Sequence, residues 1–198
     1  MLRVVVVLTG MLLTAGAEGA SLAQPRCATL GPRQFCVPRE HQAPPIADGV
    51  AVRTTIGDLL LEEIVYQQSA SVVTIAAYNG FGGDDEVEHL KSLTQSIAQR
   101  SLSKDPAEST EGTGRIPNLS VTPGSDGVEL VVAHSDTEPV PSAIAECRAS
   151  SNRCNLYFTD SSMAWKVSFP YERRFQLSEI KQGSISFLNQ FAVPFHSK

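Results

Sequence analysis

Two periodicities run through the chain, one of two residues and one of three to four. The cleanest alternation covers residues 163–169. There Trp165, Val167 and Phe169 fall on one side and Lys166 and Ser168 on the other, the pattern of a half-buried strand ended by Pro170. Residues 71–78, rich in Val and Ile, predict another strand. Val50 and Val52 alternate with polar neighbours up to Ile56, and Gly57-Asp58 then reads as a two-residue hairpin turn into residues 59–67. The Leu and Glu residues of 59–64 also suit a helix, but the meander favours a strand. Further on, residues 118–122 and 128–133 flank a turn at Pro123-Gly124-Ser125-Asp126-Gly127, and 143–149 pairs with 153–160 across Ser150-Ser151-Asn152.

The helical period occurs twice. Asp84 or Asp85 caps a helix running to about Leu102, with Val87, Leu90, Leu93 and Ile97 on one face and Glu88, Lys91, Gln95 and Gln99 on the other. A second helix is predicted over 176–191, where Leu177, Ile180, Phe187, Leu188 and Phe191 form a stripe. Gly183 lies inside it and costs about 1 kcal/mol relative to Ala, so packing has to hold this helix in place. Residues 103–115 lose all periodicity and read as a flexible loop. The predicted fold is α+β: an antiparallel β-sheet with two amphipathic helices packed on one face. Element order alone suggests two β-β-β-α-like halves, 24–102 and 116–198, joined by 103–115 within one mature domain, 24–198.

The first residues carry a different signal. Arg3, an apolar run from Val4 to Leu13, and the small residues Ala15, Gly16, Ala17, Gly19 and Ala20 have the order of a secretory signal peptide. Ser21 and Ala23 fit the small positions before a cut after Ala23, so the signal peptide is 1–23 and the mature chain starts at Gln24. The apolar run is about half the roughly twenty residues that a spanning helix needs, so no membrane anchor is expected after cleavage. The expected location is secreted or periplasmic.

The cysteines agree. Cys27, Cys36, Cys147 and Cys154 form an even set behind an export signal, which reads as a disulfide framework with three connectivities. The local pairs Cys27–Cys36 and Cys147–Cys154 are preferred, because each closes a short loop around turn residues. Chain entropy gives about 2.5–3 kcal/mol for each loop. A zinc site is disfavoured, since no CxxC pair occurs.

Net charge is −5 with no basic stripe, which argues against nucleic acid and anionic lipid as partners. The apolar fraction of 42% is enough for an ordinary core.

Candidate chemistry is sparse. Gly80-Phe81-Gly82-Gly83 precedes a helix, but Asp84-Asp85-Glu86 would repel a phosphate and lack the alternate spacing of a calcium loop. Asp85 and His89 are four apart, yet two residues do not close a metal site. His134-Ser135-Asp136 has the residue types of a catalytic triad, but adjacent residues cannot form its hydrogen-bond chain, and no G-x-S-x-G elbow exists. His41 and His196 lie near the ends of the mature chain. Asn118-Leu119-Ser120 matches a glycosylation sequon, relevant only in a glycosylating cell. Trp165, Tyr157, Phe158, Phe169 and Tyr171 could line a cleft, but their spacing fits an inward strand face.

No catalytic residue, cofactor or metal ligand is assigned, and oligomeric state is left open. The functional expectation is an exported cell-envelope protein that binds another protein, of the inhibitor or immunity type. The alternatives are a secreted hydrolase with an unidentified site and an envelope structural or assembly factor.

Overall fold

The structure, a computed structural model, describes residues 24–61, 71–79, 92, 118–123, 127–134, 142–160 and 163–194. The expected signal peptide, the 103–115 loop and, apart from Ser92, the expected helix over 84–102 lie outside them.

Seven strands make the main sheet. They are β3 (Gly49–Thr55), β4 (Val72–Asn79), β5 (Leu119–Pro123), β6 (Val128–Ala133), β7 (Ala143–Arg148), β8 (Arg153–Asp160) and β9 (Met163–Pro170). Their order is β3-β4-β9-β8-β7-β6-β5, with every pairing antiparallel. β4 lies directly beside β9, so described strands from both expected halves share one sheet.

The registers show why the alternation arises. Val52, Ile75, Val167, Leu156, Ala145, Val131 and Val121 line up across all seven strands on one face. The α2 helix (Leu177–Asn189) covers that face with Leu177, Ile180, Phe187 and Leu188, all buried in the same core. Trp165 is fully buried there and stacks on Phe158 at 5.4 Å between ring centroids. The aromatics Trp165, Phe158 and Phe169 are therefore core.

A smaller sheet, β1-β2-β10, is formed by β1 (Arg26–Leu30), β2 (Arg33–Val37) and β10 (Ala192–Val193). Gly31, at φ 54°, turns β1 into β2. This register sets Cys27 opposite Cys36, and the β7–β8 register sets Cys147 opposite Cys154. Both local disulfides form there. Residues after β2 pass through a 3₁₀ turn, Arg39–His41, and then cover the outer edge of β3. Ala43 N donates to Ala51 O at 3.4 Å, and Gln42 bridges to Val52.

One local expectation fails. Gly57-Asp58 is not a hairpin turn, and Leu59 and Leu60 do not start a strand, because residues Ile56–Leu60 form a short helix, α1. Thr55 caps it: its Oγ1 accepts from Asp58 N at 3.1 Å and donates to Asp58 Oδ2 at 2.7 Å. β3 instead pairs directly with β4.

At the far end of β9, Pro170 leads into a 3₁₀ turn, Tyr171–Arg173. Tyr171 donates to Glu129 Oε2 at 2.9 Å, and the Arg174 guanidinium lies over the rings of Tyr171 and Phe175. Burial, then the bond to Glu129, pushes the Tyr171 phenol above its usual value. This staple orients the chain as it enters α2.

Candidate functional site

The two helices meet where Gly183 has no side chain. A Cβ at Gly183 would lie 2.5 Å from Leu59 O, so the α1 backbone sits directly on α2. The close approach leaves a groove of about 280 Å³ beside the contact. Its floor is apolar, with Leu59, Leu60 and Phe187, and its rim is polar, with Asp58, Glu179, Gln182 and Gln190. Leu61 ends α1 at φ 53° and is 90% exposed. A left-handed leucine pushed into water at the mouth of an apolar groove is an unusual expenditure of hydrophobic surface. Charged groups at the rim are acidic, and no cation lines the groove among the described residues. The arrangement can receive an apolar side chain.

The residues singled out in the sequence are dispersed. His41 packs against Phe187 and Phe191, at 5.2 and 5.4 Å between ring centroids, with Nδ1 3.2 Å from Arg53 O. It is part of the packing around α2. Residues 80–91, with Asp84, Asp85, Glu86 and His89, lie outside the described residues, as do Ser135, Asp136 and His196. His134 does contact a serine: Ser120 Oγ and His134 Nε2 are 2.9 Å apart. No carboxylate contact to His134 is present among the described residues, and the Ser120–His134 hydrogen bond is exposed. Tyr157 belongs to the sheet face opposite α2, where it is buried with Ala76, Tyr78 and Ala164. No group of three or more His, Cys, Asp or Glu residues placed to hold a metal occurs among the described residues.

Sequence reasoning missed the groove because it missed α1. The signal is present in the sequence: Thr55-x-x-Asp58 is a capping pattern that overlaps the Gly57-Asp58 hairpin signature.

An antiparallel α+β protein with few helices and two cross-strand disulfides is the class that these elements define. No family model and no curated protein matches the chain. Its fold is similar to that of an immunity protein of the Stenotrophomonas maltophilia type IV secretion system. The TM-score is 0.50 with 13% sequence identity, over 86% of this chain and 94% of that one. At that identity the likeness is one of fold. No described helix is long and apolar enough to cross a membrane.

Proposed function

We propose that this is an exported, non-catalytic protein of the inhibitor or immunity type, secreted or periplasmic, that works by binding another protein. The observation that carries the reading is Leu61, held 90% exposed at the mouth of the α1–α2 groove. Apolar anchors on rigid elements, ringed by polar side chains, are what protein interfaces are built around. The fold of the secretion-system immunity protein supports the same class, and the two disulfides suit a compartment outside the cytoplasm. The proposed mature unit is 24–198, following a signal peptide.

The test places a photo-crosslinking amino acid at Leu61, and separately at Asn155 on the opposite sheet face, in the exported protein in its own cell. One protein is expected to be captured from Leu61 and not from Asn155. Leu61→Asp, which leaves the core untouched, is expected to weaken that partner's binding at least about tenfold. Equal capture from both positions, or unchanged binding by the variant, overturns the reading.

The hydrolase reading has one observation in its favour, the Ser120–His134 contact. Ser120→Ala is expected to leave biological function intact. Loss of function with fold and partner binding retained would establish the hydrolase instead.

A further inference from the structure

We propose that the Cys27–Cys36 bond is a site of thiol–disulfide exchange, opened by a dithiol and re-formed by oxidation with the fold intact, whereas Cys147–Cys154 is a permanent staple. Both bonds join directly opposed residues of antiparallel strands, but their surroundings differ. Cys147 and Cys154 are fully buried in the main core. Their strands, β7 and β8, are interior to the seven-stranded sheet, with Glu129 of β6 opposite Cys147 and Phe169 of β9 opposite Cys154. Cys27, in contrast, is exposed, and Cys36 is half-buried. Cys27 lies on β1, an edge strand of the three-stranded sheet. Cys36 stands between Phe35 and Val37, which turn into the core, so strand alternation directs its sulfur the other way.

Exchange starts when a thiolate reaches a disulfide sulfur, so access decides which bond reacts. Cys27, the more exposed of its pair, offers the sulfur that is attacked. A new S–S bond forms to Cys27 Sγ as the Cys27–Cys36 bond breaks. The electron pair leaves on Cys36 Sγ, which takes a proton from water. The second thiol of the reductant, after losing its proton to water, attacks its own sulfur on Cys27 and releases the Cys27 thiolate, which is protonated in turn. The chain gains two electrons and two protons, and the dithiol departs as a disulfide. A small disulfide that accepts the same two electrons reverses the step.

The first hairpin does not depend on its bond. Five cross-strand pairs, from Arg26 opposite Val37 to Leu30 opposite Arg33, set its register around Gly31. Leu30, Phe35 and Val37 anchor it in the core. Three further bonds tie it to the body: Cys36 N donates to Phe191 O at 2.9 Å, Gly31 N to Asn79 Oδ1 at 2.8 Å, and Arg26 Nη1 to Ala43 O at 2.9 Å. These contacts keep the two thiols opposite each other after reduction. Groups held in that way react with each other in preference to a thiol from solution, so the bond re-forms. Reaching Cys147–Cys154 requires parting interior strands of the main sheet, an opening close to global unfolding.

The test reduces the folded, disulfide-bonded chain with dithiothreitol under native conditions, quenches with iodoacetamide and maps the labelled cysteines by peptide mass spectrometry. Cys27 and Cys36 are expected to be labelled at least about tenfold faster than Cys147 and Cys154. Reduced thioredoxin is run in parallel to tell a protein dithiol from a small one; first reaction of either at Cys27–Cys36 supports the site. The singly reduced protein is expected to keep its near-ultraviolet circular dichroism, with a melting temperature lower by no more than about 10 °C, and oxidised glutathione is expected to restore both the bond and the melting temperature. In Cys36→Ser and Cys27→Ser the remaining thiol shows which sulfur is reached: Cys27 is expected to react with iodoacetamide at least about threefold faster than Cys36. Should either variant fail to fold, the labelling order in the unsubstituted chain decides alone. No reaction at Cys27–Cys36 under native conditions, equal rates at the two bonds, unfolding on reduction of Cys27–Cys36 alone, or failure of the bond to re-form overturns the proposal. The outcome is independent of any partner at the α1–α2 groove.

Discussion

Trp165→Ala is expected to destabilise the protein by about 3–5 kcal/mol, the largest effect of any single change considered. The indole is fully buried on β9, in the middle region of the seven-stranded sheet. Its register neighbours are Ala77 on β4 and Phe158 on β8, the latter stacked at 5.4 Å with 11° between the ring planes. Neighbours this small on one side and this rigid on the other cannot collapse into the space left behind. Denaturant midpoints in urea, with the slope unchanged, measure the loss, and the melting temperature should fall by about 10 °C. Trp165→Phe is expected to be much milder. The indole N–H has no hydrogen-bond partner among the described residues, so a phenyl ring keeps the stacking and gives up no polar contact. Equal losses from the two variants would mean that Trp165 holds a polar partner.

Gly183→Ala reverses the ordinary rule for helices. In an exposed helix interior the change stabilises by about 1 kcal/mol. In α2 it is expected to destabilise by about 2–3 kcal/mol, because the new methyl group meets Leu59 O at 2.5 Å and Leu59 Cγ at 3.1 Å. The nearest atom is backbone, fixed in α1 by the Thr55 cap, so relief requires the two helices to part. Thermal unfolding decides the sign; a gain in stability would show that α1 does not rest on α2. The same variant is expected to deform the α1–α2 groove, so its partner affinity should fall along with its stability.

Gly183 also shows how far the sequence could be read. Its presence in an otherwise regular stripe demands a compensating contact, and that much is legible. What it contacts is not, because α1 was read as a turn followed by a strand. Five helical residues are too few to show a period, and Gly57-Asp58 is a strong local hairpin signal. Several strands were legible for different reasons: β9 alternates strictly, β4 is rich in Val and Ile, and β6, β7 and β8 border runs of turn residues. The β1–β2 hairpin was visible only as a disulfide loop, since its five-residue strands bury just Leu30, Phe35 and Val37. The pairing of β4 with β9 could not be read at all. It joins residues about ninety positions apart, and nothing local encodes such a partner choice. The α1–α2 groove escaped for a related reason: it exists because Gly183 lets α1 rest on α2, and a glycine does not name its contact.

The sheet formed by β1, β2 and β10 sets an order of events during synthesis. Phe35 is fully buried and pairs with Ala192, while Cys36 N donates to Phe191 O at 2.9 Å. The hairpin can close early, since its contacts and its disulfide are local. Its burial cannot be completed until residue 193 has left the ribosome and, for a translocated chain, the export channel. A chain paused anywhere before that point presents an apolar hairpin face to its surroundings. The native state is therefore reached only after residue 193 has emerged, and a holding chaperone has a defined window, from the closing of the first hairpin to the arrival of its last strand, in which there is something to hold.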